Sequence, residues 1–255
     1  MRIISLQSGS NGNCIYVEAN GVRLLFDAGI SGVQAERRLF GHARDIRQVD
    51  ALLISHDHSD HSRSTGIFQR KFGLPIYVTR RTLAAAGSAT RLGCLSDVRD
   101  FSAGSILDFG SVQVETIPTP HDGVDGVAFV VDDGRCRLGI LTDLGHVFDG
   151  LQDVLESLDA VLLESNYDPA MLATGPYPEF LKKRIAGHGG HLSNPEAAEL
   201  LGAVAQGRLR WACLGHLSEQ NNTPGRALAT HRHVLGPHFP LVVASRYQAG
   251  EVLEV

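Results

Sequence analysis

Hydrophobic and polar positions along the 255-residue chain follow two alternating periods. Short apolar and β-branched runs recur at 2–6, 13–19, 22–27, 50–55, 75–79, 112–117, 127–132, 136–142, 159–163, 210–215, 241–245 and 250–255, each of strand length. Between them the apolar spacing shifts to three and four residues and predicts helices at 33–40, 63–72, 81–88, 147–157, 177–185, 195–205 and 224–234. The helix at 195–205 reads as started by Asn194 at the N-cap and Pro195 at the first helical position. Strands are densest at 2–27 and again at 98–142, and each dense stretch passes into strand–helix alternation. That order predicts an α/β protein of two similar halves, with two sheets face to face and helices outside. Neither a linker nor a low-complexity segment interrupts the pattern, so one domain spanning 1–255 is expected.

A composition of 43% hydrophobic and 20% charged residues suits a buried core of that size. The opening MRIISLQSGSNGN is too briefly apolar for a signal peptide, and no run approaches a membrane span. A cytoplasmic protein without a membrane partner is expected, and no obligate protein partner can be inferred. Cys14, Cys94, Cys136 and Cys213 lie far apart and form no CxxC pair, which predicts buried, reduced residues rather than disulfides or a thiolate metal site. The net charge of −5 speaks against a nucleic-acid binder, but the charges are sorted along the chain. Ser62 to Ser96 carries Arg63, Arg70, Lys71, Arg80, Arg81 and Arg91 with no acid, Asp97 to Asp168 is strongly acidic, and Lys182, Lys183 and Arg184 then stand in a row. Such runs are usually solvated helix faces; a basic rim around an active site is the alternative.

Candidate chemistry gathers where strands end. HDHSDH at 56–61 follows the strand ALLIS and packs three histidines and two aspartates into six positions. His121 follows VETIPTP, Asp143 follows RLGILT and His216 follows RWACLG. Sheets of this general kind bind ligands beyond the carboxyl ends of their strands, so these side chains are expected to converge on one edge. HDHSDH is then expected to be a turn out of a strand, made rigid by metal ions.

The stretch HDHSDH is similar to the HxHxDH signature of metallo-β-lactamase-fold hydrolases, and LLFDAG at 24–29, His121, Asp143 in LTDLG and His216 fall where that fold's other motifs fall. The resemblance covers nearly the whole chain and implies a four-layer αββα sandwich. It implies that His56, His58 and His121 hold one metal, that Asp60, His61 and His216 hold a second, and that Asp143 bridges them, with Asp27 orienting the loop from behind. Imidazole and carboxylate ligands suit two divalent ions of zinc, manganese or iron. An iron-dependent oxygen-reducing branch of the fold carries Glu where this chain has His58, which disfavours that branch. Paired divalent ions lower the pKa of a shared water and stabilise developing negative charge, so the implied reaction is hydrolysis, with Asp60 and Asp143 in the catalytic set.

Two further stretches, LLESNYD at 162–168 and GHGGHLSN at 187–194, resemble tRNase Z and related phosphodiesterases, in which a Glu after a strand supports a His in an HxS segment; the matching residues are Glu164, His191 and Ser193. SGSNGN at 8–13 and GHLSEQNNTP at 215–224 resemble the bacterial YycJ/WalJ-type family, associated with 5′-to-3′ exonuclease activity on DNA. The resemblance implies a dinuclear-metal phosphodiesterase acting on nucleic acid, with His191 as general acid supported by Glu164, and Ser193, Asn194, Ser218, Asn221 and Asn222 as substrate-binding candidates. The chain departs from the β-CASP nucleases in lacking a large insertion between Asp143 and His191, and from tRNase Z in lacking an arm segment. A thioesterase or lactonase of the glyoxalase II type shares the metal ligands without needing Glu164 and His191; a non-catalytic scaffold would have lost ligands that this chain retains. On the residues alone, His191 also suits a packed helix start, and Asn221 and Asn222 also suit a turn.

Overall fold

The computed structural model describes residues 1–90 and 92–255; Arg91, one of the basic residues noted above, lies outside them. The chain first lays down β1 (Arg2–Gln7), β2 (Cys14–Ala19), β3 (Val22–Phe26), α1 (Gly32–Gly41), β4 (Ala51–Leu53), α2 (Ser59–Ser62), α3 (Thr65–Phe72), β5 (Ile76–Val78), α4 (Arg80–Thr90) and β6 (Val98–Asp100). It continues with β7 (Ile106–Asp108), β8 (Gln113–Pro118), β9 (Val127–Asp132), β10 (Arg137–Leu141), α5 (Leu151–Glu156), β11 (Ala160–Glu164), α6 (Pro169–Thr174), α7 (Glu179–Ile185), α8 (Asn194–Val204), β12 (Trp211–Gly215), α9 (Pro224–Leu235), β13 (Leu241–Val243) and β14 (Leu253–Glu254). One sheet has the order β14-β1-β2-β3-β4-β5-β6 and the other β13-β12-β11-β10-β9-β8-β7.

Both sheets follow one plan. Antiparallel pairing runs through β1, β2 and β3 in the first sheet and through β8, β9 and β10 in the second. Pairing then becomes parallel through β4, β5 and β6, and through β11, β12 and β13. Parallel strands need crossover helices, which is why the helical pattern begins where the hairpins end. Because side chains alternate across a strand, neighbours in sequence enter different cores. Ile3 and Leu24 pack between the sheets with Phe129, Leu138 and Leu162, whereas Ile4 and Leu25 face Ala35, Leu39 and Phe68 of the helices. On the other sheet Val161 and Leu163 meet Leu155, Ala197 and Leu201. These three cores define the expected four-layer αββα sandwich. Phe26 and Phe129 join the sheets with ring centroids 5.0 Å apart.

The structure departs from the sequence pattern at weak signals. The periodicity does not announce β6, β7 and α6: the two strands are three residues long and largely exposed, and α6 is six residues long. The helix expected from Val147 starts at Leu151, because Gly150 adopts φ 86° at its cap. Ser193, rather than Asn194, is the N-cap of α8; its hydroxyl accepts from Glu196 N while the Glu196 carboxylate accepts from Ser193 N. All four cysteines are free, but only Cys14 and Cys213 are buried; Cys94 and Cys136 sit in connections outside the sheets and are exposed and half-buried. No helix among the described residues is long and apolar enough to cross a membrane.

Candidate active site

Asp27 leaves β3 with φ 65° and anchors the whole HDHSDH segment. Its carboxylate accepts from Ser55 N at 2.8 Å and Ser55 Oγ at 3.0 Å, just before the segment, and lies 2.7 Å from His61 Nδ1 at its far end. Ser62 Oγ donates back to the carbonyls of Asp57 and His58. Gly29 is required here, because a Cβ at that position would collide with the Asp60 carbonyl. HDHSDH is therefore a short loop running into the single turn of α2, and the protein's own hydrogen bonds hold it.

His56, His121 and His216 each have one nitrogen committed to the protein and the other turned inward, whereas His61 Nε2, on the inward side, also lies 2.9 Å from Asn13 Nδ2. His56 Nδ1 lies 3.0 Å from Ser55 Oγ, and His121 Nδ1 lies 2.7 Å from the Gly190 carbonyl. His216 Nδ1 lies 3.2 Å from Asn166 Nδ2. On the inward side His121 Nε2 lies 3.2 Å from His58 Nδ1, His61 Nε2 lies 3.2 Å from Asp143 Oδ2, and His216 Nε2 lies 3.4 Å from Asp60 Oδ2 and 3.6 Å from Asp143 Oδ1. The donor atoms of His56, His58 and His121 lie within 4.8 Å of one another, as do those of Asp60, His61 and His216; Asp143 clusters with His56 and His61 and, separately, with Glu164, His191 and His216. His56 Nε2 is buried without a hydrogen-bond partner, and Asp143 Oδ2 makes no hydrogen bond beyond its charge contact with His61 Nε2. Leaving such atoms unsatisfied costs about 1–3 kcal/mol each, which a bound cation would relieve. Asp143 and His216 hold φ values of 56° and 54°, a left-handed backbone that non-glycine residues tolerate mainly at functional sites. The fold and these imidazole–carboxylate clusters together mark a divalent metal site.

Electrostatics divide the cluster. Burial, reinforced by the neighbouring imidazoles, drives the His56 pKa well down, and burial lowers His58 too. Burial also opposes charge on His61, but Asp143, Asp27 and Asp60 outweigh it and raise that pKa to about 9. His216 is raised in the same way by Asp143, Asp60 and Glu164. Asp60 stays ionised despite burial because His61 and His216 face it.

Glu164 is the last residue of β11 and is fully buried. Its Oε2 accepts from Leu144 N at 3.0 Å and Leu192 N at 3.4 Å, and its Oε1 lies 2.6 Å from His191 Nδ1. Burial disfavours its charge, yet His191 and His216 hold its pKa below the usual carboxylate range. His191 Nδ1 also lies 3.6 Å from Asp143 Oδ1, so the pair adjoins the metal cluster.

The remaining candidates lie beneath the surface. Ser193, Asn194, Ser218, Asn221 and Asn222 are at most 6% exposed. Asn194 joins Ser165 and Asn222, Asn222 donates to the carbonyls of Ser165 and Asn166, Asn221 donates to Ser218, and Ser193 caps α8. Most of their polar groups brace the loops under His216 and His191, while Asn221 Oδ1 is buried without a hydrogen-bond partner. The described basic residues between Ser62 and Ser96 are also engaged. Arg70 donates to the Leu92 and Cys94 carbonyls, Lys71 pairs with Glu36, Arg80 with Asp100 and Arg81 with Asp125; Arg63 reaches the Asn11 carbonyl. Sequence reasoning missed Ser55, Asn166 and Asp122. Asp122 Oδ1 lies 3.4 Å from His58 Nε2, and its carboxylate is gripped by Arg184 through contacts of 2.6 and 3.1 Å. Its position directly after His121 was the available signal.

Residues 22–212 match the beta-lactamase superfamily domain. The chain is 37% identical over 221 residues to the exodeoxyribonuclease WalJ of Streptococcus pneumoniae, covering 85% of this chain and 81% of that one. It is 35% identical over 218 residues to the exodeoxyribonuclease YycJ of Bacillus anthracis, covering 85% and 82%. Among solved structures, the metallo-β-lactamase fold protein YhfI of Bacillus subtilis superposes with a TM-score of 0.73 over 99% of both chains at 18% identity, a likeness of fold alone.

Proposed function

The chain belongs to the beta-lactamase superfamily and, within it, to the family of the WalJ and YycJ exodeoxyribonucleases, and from that premise we propose that residues 1–255 form one domain acting as a dinuclear-metal phosphodiesterase on DNA ends. The observation that carries this reading is the Glu164–His191 pair, 2.6 Å apart at the edge of two imidazole–carboxylate clusters that meet at Asp143. A glyoxalase II-type thioesterase would have no use for that pair. The 5′-to-3′ polarity rests on the resemblance of SGSNGN and GHLSEQNNTP to the family. DNA as substrate fits a cytoplasmic site of action.

In this reading His56, His58 and His121 would hold one divalent ion and Asp60, His61 and His216 the other, and Asp143, which groups with residues of both sets, would serve both. The nitrogen and oxygen donors fit zinc or manganese, and iron as well. When bound, the ions supply a hydroxide at neutral pH and neutralise charge on the attacked phosphate. The protein's own residues do the rest. Asp27 and Ser55 keep His56 and His61 oriented through their Nδ1 atoms, a support that sharpens ligand geometry. Glu164, fixed by Leu144 N and Leu192 N, holds His191 through Nδ1 and leaves Nε2 to deliver a proton to the departing sugar oxygen. Asp60 stays ionised beside His216 and completes its cluster.

A digest of end-labelled oligonucleotides beside a thioester assay, each with zinc, manganese or chelator, tests the proposal. Metal-dependent release of mononucleotides from the 5′ end is expected. Thioester turnover without nucleotide release would defeat it.

A further inference from the structure

We propose that the exposed face of α7 is a platform for the single-stranded DNA that enters the active site, with Phe180 stacking on a base and Lys183 meeting a phosphate. The inference rests on the nuclease reading and extends it to where the strand lies. α7 belongs to the excursion between Glu164 at the end of β11 and Ser193 at the start of α8, the segment that delivers His191. At 100° per residue, Phe180, Lys183 and Arg184 fall within about 100° of arc on one side and Leu181, Ile185 and Lys182 on the other; the exposed Glu179 lies between Lys183 and Lys182 and pairs with Lys182 at 3.3 Å. The packing follows this division. Leu181 and Ile185 join Tyr167, Leu172 and Tyr177 in a small core, and the Lys182 stem is tucked in with its Nζ on the Ala173 carbonyl. Phe180 is 74% exposed, although this core lies on the opposite side of the same helix. Lys183 is exposed too.

The face is continuous with the metal cluster. Arg184, one turn beyond Phe180, grips Asp122, whose Oδ1 lies 3.4 Å from His58 Nε2 and 3.5 Å from His121 Nε2. The Ile185 carbonyl accepts from His191 N, fixing the helix end against the proposed proton donor. Phe180 therefore stands about 6 Å further from the site than Arg184 along the helix axis. An aromatic ring beside an exposed cation on a path leading to a phosphodiesterase site suits single strands, where stacking on unpaired bases and charge on the backbone act together. The chain's net charge of −5 makes a local basic face the more necessary for a polyanion.

The test is DNA binding by fluorescence anisotropy in chelator, where cleavage is silent, for the wild type, Phe180→Ala, Phe180→Trp and Lys183→Ala. Arg184 is left alone because its substitution would disturb Asp122. Thermal unfolding and metal content of each variant report an intact fold. For single-stranded oligonucleotides Phe180→Ala should weaken binding about tenfold and Phe180→Trp should retain it. Lys183→Ala should reduce the slope of log K against log salt by about 0.7, the value for one phosphate contact on a single strand. Wild-type affinity and slope in both alanine variants would overturn the platform while leaving the nuclease reading intact. Equal losses on blunt duplex and single strand would overturn the stacking role of Phe180. A wild type that neither binds nor cleaves DNA would overturn both.

Discussion

The two ligand clusters share the same edge of the sandwich but differ in charge. His56, His58 and His121 form an all-imidazole group in which burial and mutual repulsion push His56 and His58 toward neutrality. Asp60, His61 and His216 include a carboxylate and face Asp143, Asp27 and Glu164, so the two histidines are pulled toward the charged form. Neutral imidazoles are ready ligands, whereas charged ones must release a proton first. The clusters thus differ in charge, and Asp143 lies close to members of both.

The comparison breaks most completely at Asp143. Asp143→Ala should reduce DNA hydrolysis about a thousandfold or more, since it removes the carboxylate between the clusters. Near-normal turnover with two bound metals per chain would show that the clusters work independently of it.

His191→Ala should slow DNA cleavage by about 10²–10⁴, the span of a lost general acid, while sparing an activated nitrophenyl diester whose leaving group needs no proton. Glu164→Gln should show the same pattern more weakly. Equal losses on both substrates, with metal content unchanged, would assign His191 to positioning.

Asp27→Asn tests whether the clusters can be separated. It removes the carboxylate from His61 Nδ1 and should weaken one of two metal-binding steps about 10–100-fold in chelator competition, with the other step less affected. Parallel weakening of both steps would mean that Ser55, which also contacts Asp27, carries the effect to His56.

A smaller effect distinguishes the clusters by pH in metal-free protein. His56 has a folded pKa below its unfolded value near 6.5, so its contribution is present above about pH 6.5 and lost as pH falls. His61 has a folded pKa of about 9, so its contribution is full below about pH 6.5 and is lost as pH rises through 9. Together they predict a maximum of thermal stability near pH 6.5, with a decline of a few degrees on either side. His61→Gln should flatten the alkaline limb and His56→Gln the acid limb, and a calorimetric scan across pH in chelator reads both.

Smallest of all is the expected effect of Lys71→Ala. Its partner is Glu36, with both side chains partly exposed, so stability should change by less than about 1 kcal/mol and the salt dependence of DNA binding should not move. A reduced salt slope would return the 62–96 stretch to the substrate face.

Much of this protein could be read from the chain alone because its chemistry lies where its periodicities stop. Buried strands of three to five residues such as β4, β10, β11 and β12 are written as near-continuous apolar runs, and the residues that follow such a run are placed at a sheet edge by the strand itself. His56, Asp143 and His216 were legible for that reason, and so was Glu164, a carboxylate ending the run AVLLE. Short elements with mixed polarity, such as β6, β7 and the single turn of α2, carried too few residues for a period to show. Tertiary structure alone decided what each polar side chain does with its second atom. Asn194 and Asn222 read alike in the sequence, and only the structure shows that they bond to Ser165, to Asn166 and to one another. Asp122 and Arg184 are 62 residues apart and become one unit because a helix of the second half folds back over the end of β8. Hydrogen bonds and ion pairs act over about 3 Å in space and are indifferent to separation along the chain, so the sequence determined where the ligands stand and the fold decided which groups hold them there.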